Sequence, residues 1–100
     1  MIIQFSKIIL DANKAARIGS LPNTVLVYNC SSMCAHIRSS EEVITRLLAQ
    51  GVGVMARKKQ NEEWVHDPNK LNTEISVDEV IAKISNLLPI TEIVEVDLFA

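Results

Sequence analysis

Apolar residues along this chain follow two patterns that take turns. Short β-branched runs alternate with longer stretches whose apolar positions recur every three or four residues, the marks of buried strands and amphipathic helices respectively. Ile2 to Ser6 reads as a short strand. Lys7 to Ile18 reads as a helix with Ile8, Ile9, Ala12, Ala15, Ala16 and Ile18 on one side, stopped by Gly19 and Pro22. Thr24 to Cys30 is the clearest strand, apolar almost throughout, as befits a strand covered on both faces. Ser31 to Arg38 reads as a polar loop.

Ser39 to Gln50 is the clearest helix. Ser39 and Glu42 have capping-box spacing, Val43, Ile44, Leu47 and Leu48 form the apolar stripe, and Gly51 ends it. Val52 to Lys58 is the next strand. Lys59 to Ile75 is polar and reads as irregular, with some helix. Ser76 opens a third helix with a second capping box to Glu79, a stripe of Val80, Ile81, Ile84, Leu87 and Leu88, and a stop at Pro89. Ile90 to Leu98 closes the chain as a strand in which Val94, Val96 and Leu98 alternate with Glu95 and Asp97. The alternation predicts a single α/β domain over residues 1–100. Its expected core is a small, mainly parallel four-stranded sheet with flanking helices, in βαβαβαβ order and flavodoxin-like.

Composition sharpens this picture. Apolar residues make up 48% of the 100 positions but aromatics only 4%, so the core is aliphatic. A net charge of −2 argues against general nucleic-acid binding, and no apolar stretch is long enough for a membrane helix. Arg57-Lys58-Lys59 is a short basic run followed closely by Glu62-Glu63, so no nucleic-acid partner is expected. With two cysteines and no secretory signature at Met1 to Phe5, a reducing cytoplasm is the expected compartment.

In an open parallel sheet, ligands sit beyond the carboxyl ends of the strands. The predicted rim gathers Cys30, Ser31, Arg57 and Lys58 as ligand-binding residues for a small anion, near the helix starts at Ser39 and Ser76. Cys34, five residues before Ser39 and close to His36, is the candidate nucleophile, with His36 as its base. Cys30, Cys34 and one histidine are too few for structural zinc, with His66 and Asp67 the only obvious further ligands, so neither metal nor cofactor is expected.

One resemblance adds to this reading. A helix containing Asn13 precedes the strand Val25-Leu26-Val27-Tyr28, a helix runs from Glu42 to Gln50 into Gly51-Val52, and His66-Asp67-Pro68-Asn69-Lys70-Leu71 leads to a capped helix. Over roughly residues 7 to 90 this pattern resembles the DsrE/DsrF-like family of small sulfur-relay proteins. The resemblance implies a parallel α/β fold, homo-oligomers, and a persulfide-carrying cysteine after the strand that follows Gly-Val. The matching position here is Arg57. The resemblance therefore implies an oligomeric protein that binds a small ligand or protein partner without that cysteine. The alternatives are a sulfur-relay carrier using Cys34 or Cys30, and a structural or inhibitory protein with Trp64 and Phe99 as contact anchors. A rhodanese-like arrangement of strand, cysteine loop and helix around Val25 to Cys34 ranks below these.

Overall fold

The computed structural model describes residues 1–7, 11–31 and 33–97. Nine elements follow one another: β1 (Ile2–Ser6), α1 (Ala12–Gly19), β2 (Thr24–Ser31), β3 (Cys34–Arg38), α2 (Glu41–Ala49), β4 (Val54–Gln60), β5 (Glu63–Thr73), α3 (Val77–Leu87) and β6 (Glu92–Glu95). The class is α/β as expected, but the sheet has six strands, in the order β4-β5-β3-β2-β1-β6. Two of its five pairings, β1–β2 and β1–β6, are parallel; β2–β3, β3–β5 and β4–β5 are antiparallel.

This corrects the four-stranded, mainly parallel expectation. The additional strands are β3 and β5, in segments read as loop. Each forms an antiparallel partner to a strand already recognised, so β4 runs opposite to β2. The carboxyl ends of β1, β2, β5 and β6 share one rim, where β3 and β4 begin. The expected common rim therefore does not form. Cys30 and Ser31 end β2 beside Cys34, since Ser31 pairs with Cys34. Arg57 and Lys58 lie on β4, which runs away from that end.

One sheet face carries the main core. Ile3, Val25, Val27, Ala35, Ile37 and Leu71 pack there against Val43, Ile44 and Leu47 of α2 and Val80 and Ile84 of α3. The opposite face has one short helix over part of it: Ala15 of α1 covers Leu26 and Tyr28. Among the described residues α1 is the only helix on that face. It starts at Asp11, whose carboxylate accepts from the amides of Asn13 (2.9 Å) and Lys14 (3.2 Å). Ile8 and Ile9, assigned from sequence to this helix, and Leu98 and Phe99 at the chain end lie outside the described residues.

Local rules hold well for the other two helices. The Ser76 hydroxyl caps α3 by accepting from the Glu79 amide (3.5 Å). Gly51, at φ 73°, ends α2 in a Schellman arrangement, with the Val52 amide on the Leu47 carbonyl (3.1 Å) and the Gly51 amide on the Leu48 carbonyl (3.0 Å). The cap of α2 is shifted by one residue from its expected place. Ser40 is the N-cap, while Ser39 is buried and its hydroxyl donates to the Thr24 carbonyl (2.7 Å). Two adjacent serines could each cap the helix; the burial of one by the sheet decides between them. None of the described helices is long and apolar enough to cross a membrane.

Candidate anion-binding face

Strand alternation sends Cys34, His36 and Arg38 of β3 to the face opposite the main core, because Ala35 and Ile37 point into that core. The register then sets His36 opposite Tyr28 on one side and Asn72 on the other, and Arg38 opposite Leu26 and Lys70. Among the described residues no helix lies over β5 or β4 on this side, and Val54, in line with Asn72, is 66% exposed. The result is a half-open strip of sheet lined by His36, Arg38, Lys70 and Asn72, with the Tyr28 ring beneath.

Arg38 and Lys70 stand directly opposite each other on neighbouring strands. Side chains so placed have Cβ atoms about 5 Å apart, and like charges there destabilise a sheet. Among the described residues the single ion pair is Lys7–Asp78 at 3.4 Å, elsewhere on the surface. Neither cation of the strip therefore has a carboxylate partner among them. Arg38 Nε donates to the Tyr28 hydroxyl (3.3 Å), and the last turn of α1 rests on the arginine: a Cβ on Gly19 would come within 2.6 Å of Arg38 Cβ. Gly19, expected to be a helix stop, is in fact the residue that lets α1 approach the sheet.

His36 Nδ1 lies 2.5 Å from Asn72 Oδ1. An amide oxygen only accepts, so Nδ1 carries the proton and Nε2 keeps its lone pair in the neutral ring. The ring lies 5.1 Å from that of Tyr28, tilted by 33°. Burial is the main cause holding its pKa below the ordinary histidine value; the charges of Lys70 and Arg38 act in the same direction, and the bond to Asn72 opposes them. The unfolded chain consequently takes up this proton first as pH falls through about 6.5, and the folded state loses stability until its own lower pKa is reached. Acidification from about pH 7 to about 5.5 is expected to lower the melting temperature, and His36→Gln to flatten that part of the curve. An unchanged slope in the variant, measured by circular dichroism, would remove His36 from this account.

The residues nominated from sequence are only partly brought together. Cys34 and His36 share a face of β3, but the imidazole engages Asn72 and not the thiol. Cys34 begins the strand and Ser39 follows its end, about 16 Å apart at a strand rise of ~3.3 Å per residue. The start of α2 thus lies at the far end of the strand from the thiol it was expected to activate. Cys30 and Ser31 are at the Cys34 end of the sheet. Arg57 and Lys58 lie beyond the other end, in a two-stranded ribbon where β4 and β5 continue past β3. Among the described residues no cluster of three or more His, Cys, Asp or Glu side chains gathers as a metal site.

Arg38, Lys70 and Asn72 were missed by sequence reasoning. The alternation Cys34-Ala35-His36-Ile37-Arg38 was a legible strand signal and would have placed Arg38 beside His36. Nothing in the sequence pairs either residue with Lys70, more than 30 positions away. No family model, curated protein or solved structure matches this chain, so none of these comparisons links it to the DsrE/DsrF-like family.

Proposed function

We propose that this protein is a binding module that takes an anionic group, a phosphate or carboxylate, on the strip of its sheet that begins beside the last turn of α1 and runs out over β5. The observation that carries this reading is the cross-strand pair of Arg38 and Lys70, two cations set face to face with no carboxylate partner among the described residues. An anion between them turns a repulsion into two charge-assisted hydrogen bonds. Arg38 supplies the planar fork suited to two oxygens, and Lys70 a mobile point charge. Neutral His36 presents Nε2, and protonation there adds a third donor as the bound anion raises its pKa. The earlier expectation of a small anionic ligand is kept in this reading, but on a sheet face and with other residues.

Lys70→Glu tests the reading in two directions. It replaces the opposed like charges with an opposed Arg–Glu pair, so stability rises by about 0.5 kcal/mol. It also reverses the charge needed for the anion. In the parent protein, inorganic phosphate or pyrophosphate is expected to shift the NMR signals of His36, Arg38, Lys70 and Asn72 together; in the variant these shifts vanish. Loss of stability in Lys70→Glu, or phosphate-induced shifts scattered away from these four residues, would reject the site.

A further inference from the structure

The ribbon of β4 and β5 carries a second surface, built from residues that the sheet strip does not use. Its register pairs Arg57 with His66, Lys58 with Val65, Lys59 with Trp64, and Gln60 with Glu63. Paired residues share a face and successive residues alternate. Arg57, Lys59, Trp64 and His66 therefore occupy one face, and Lys58, Gln60, Val65 and Glu63 the other. Along the sequence the basic run is diluted at once by Glu62 and Glu63; in the ribbon, Glu63 is turned to the opposite side and Glu62 sits in the two-residue turn at the tip, at φ 66° beside Asn61 at φ 51°.

Trp64 is 59% exposed, with the Lys59 ammonium 5.9 Å from the ring centroid. Arg57 reaches across the ribbon to donate to the Trp64 carbonyl. A guanidinium has five N–H donors, so this one bond leaves it able to hold a phosphate. An exposed tryptophan flanked by two cations, with no acid on the same face, offers what a flexible polyanion with aromatic units needs. Bases stack on the ring and phosphates meet Arg57 and Lys59. The stacking requires an unpaired base, which favours a single strand over a duplex. A membrane surface suits the ribbon less well, because its tip presents Glu62 where lipid headgroups would be met.

We propose that the Arg57–Lys59–Trp64–His66 face of the ribbon binds single-stranded nucleic acid. This goes beyond the anion-binding reading of the sheet strip and stands on separate residues, so either can fail alone.

Trp64 is the single tryptophan of the chain, and its emission reports on this face directly. Titrating the intact protein with oligothymidylate at low salt should quench it. With two phosphates neutralised at roughly 0.7 each, the logarithmic salt slope is about −1.4, or about sevenfold weaker binding between 50 and 200 mM salt. Binding of a labelled oligonucleotide, followed by anisotropy, should weaken about tenfold in Trp64→Ala and in Lys59→Gln, with stacking on one ring alone accounting for that size of effect. Lys58→Gln, one residue away but on the other face, should change it less than about twofold. All three positions are solvent-exposed, and unchanged melting temperatures would show the fold intact. Three results overturn the proposal: no quenching at low salt, equal loss in Lys58→Gln and Lys59→Gln, or a blue shift of Trp64 with phosphatidylserine vesicles but no response to oligothymidylate.

Discussion

Ile37→Ala is expected to lower the unfolding free energy by about 3 kcal/mol, the largest effect of any substitution considered. Ile37, the next-to-last residue of β3, is fully buried. The register sets it between Val27 of β2 and Leu71 of β5, both fully buried, and α2 and α3 close over the row from one side. Truncation removes three carbons from a site walled by two hydrogen-bonded strands, which cannot collapse to fill the space. Urea denaturation gives the value. A loss below about 1 kcal/mol would mean that β3 is not the central strand the register makes it. Neighbouring Arg38→Ala, half-buried on the other face, should by comparison cost little stability.

Gly53→Ala is expected to cost about 2 kcal/mol, the size usual for forcing an extra methyl group into a filled site. A Cβ at this position would lie 2.6 Å from the Asn72 carbonyl oxygen and 3.0 Å from Thr73 Cγ2. The oxygen belongs to the backbone of β5 and cannot swing aside. Relief requires the start of β4 to move from its partner, and Asn72 is the residue whose side chain holds His36. The substitution should therefore weaken phosphate binding at the sheet strip as well as stability. Gly51→Ala, where φ is 73° and no atom lies within 4 Å of the added methyl, should cost about 1 kcal/mol through backbone strain alone and leave binding intact. Equal effects of the two substitutions on binding would separate Gly53 from the site.

The helices were legible because their signals are local. Ser76, Gly51 and Pro89 act on amides and carbonyls within one turn, so spacing alone locates them. Strands β3 and β5 were harder for different reasons. In β3 the alternation is present, but the outward positions are Cys34, His36 and Arg38, whose polarity reads as a loop. In β5 the alternation is broken. Between the pairs Met55–Leu71 and Arg57–His66, one residue of β4 faces four of β5, residues 67–70. Pro68 sits in that bulge, Asp67 accepts from the Asn69 amide (3.0 Å), and the Asn69 side chain donates to the Ser39 carbonyl (3.1 Å). A period-two pattern cannot survive such an insertion.

By itself, the sequence determined the α/β class, the aliphatic core, the C-terminal end of α2 and the ends of α3, since each depends on residues a few positions apart; which of two serines caps α2 was decided by the sheet. Strand direction, and with it every grouping of side chains from different strands, was decided only in the tertiary structure. Arg38 meets Lys70, and Trp64 parts from Glu63, through a hydrogen-bonded register between distant segments. That register is set by which faces can be buried together, a condition on the whole molecule that no short stretch of chain contains.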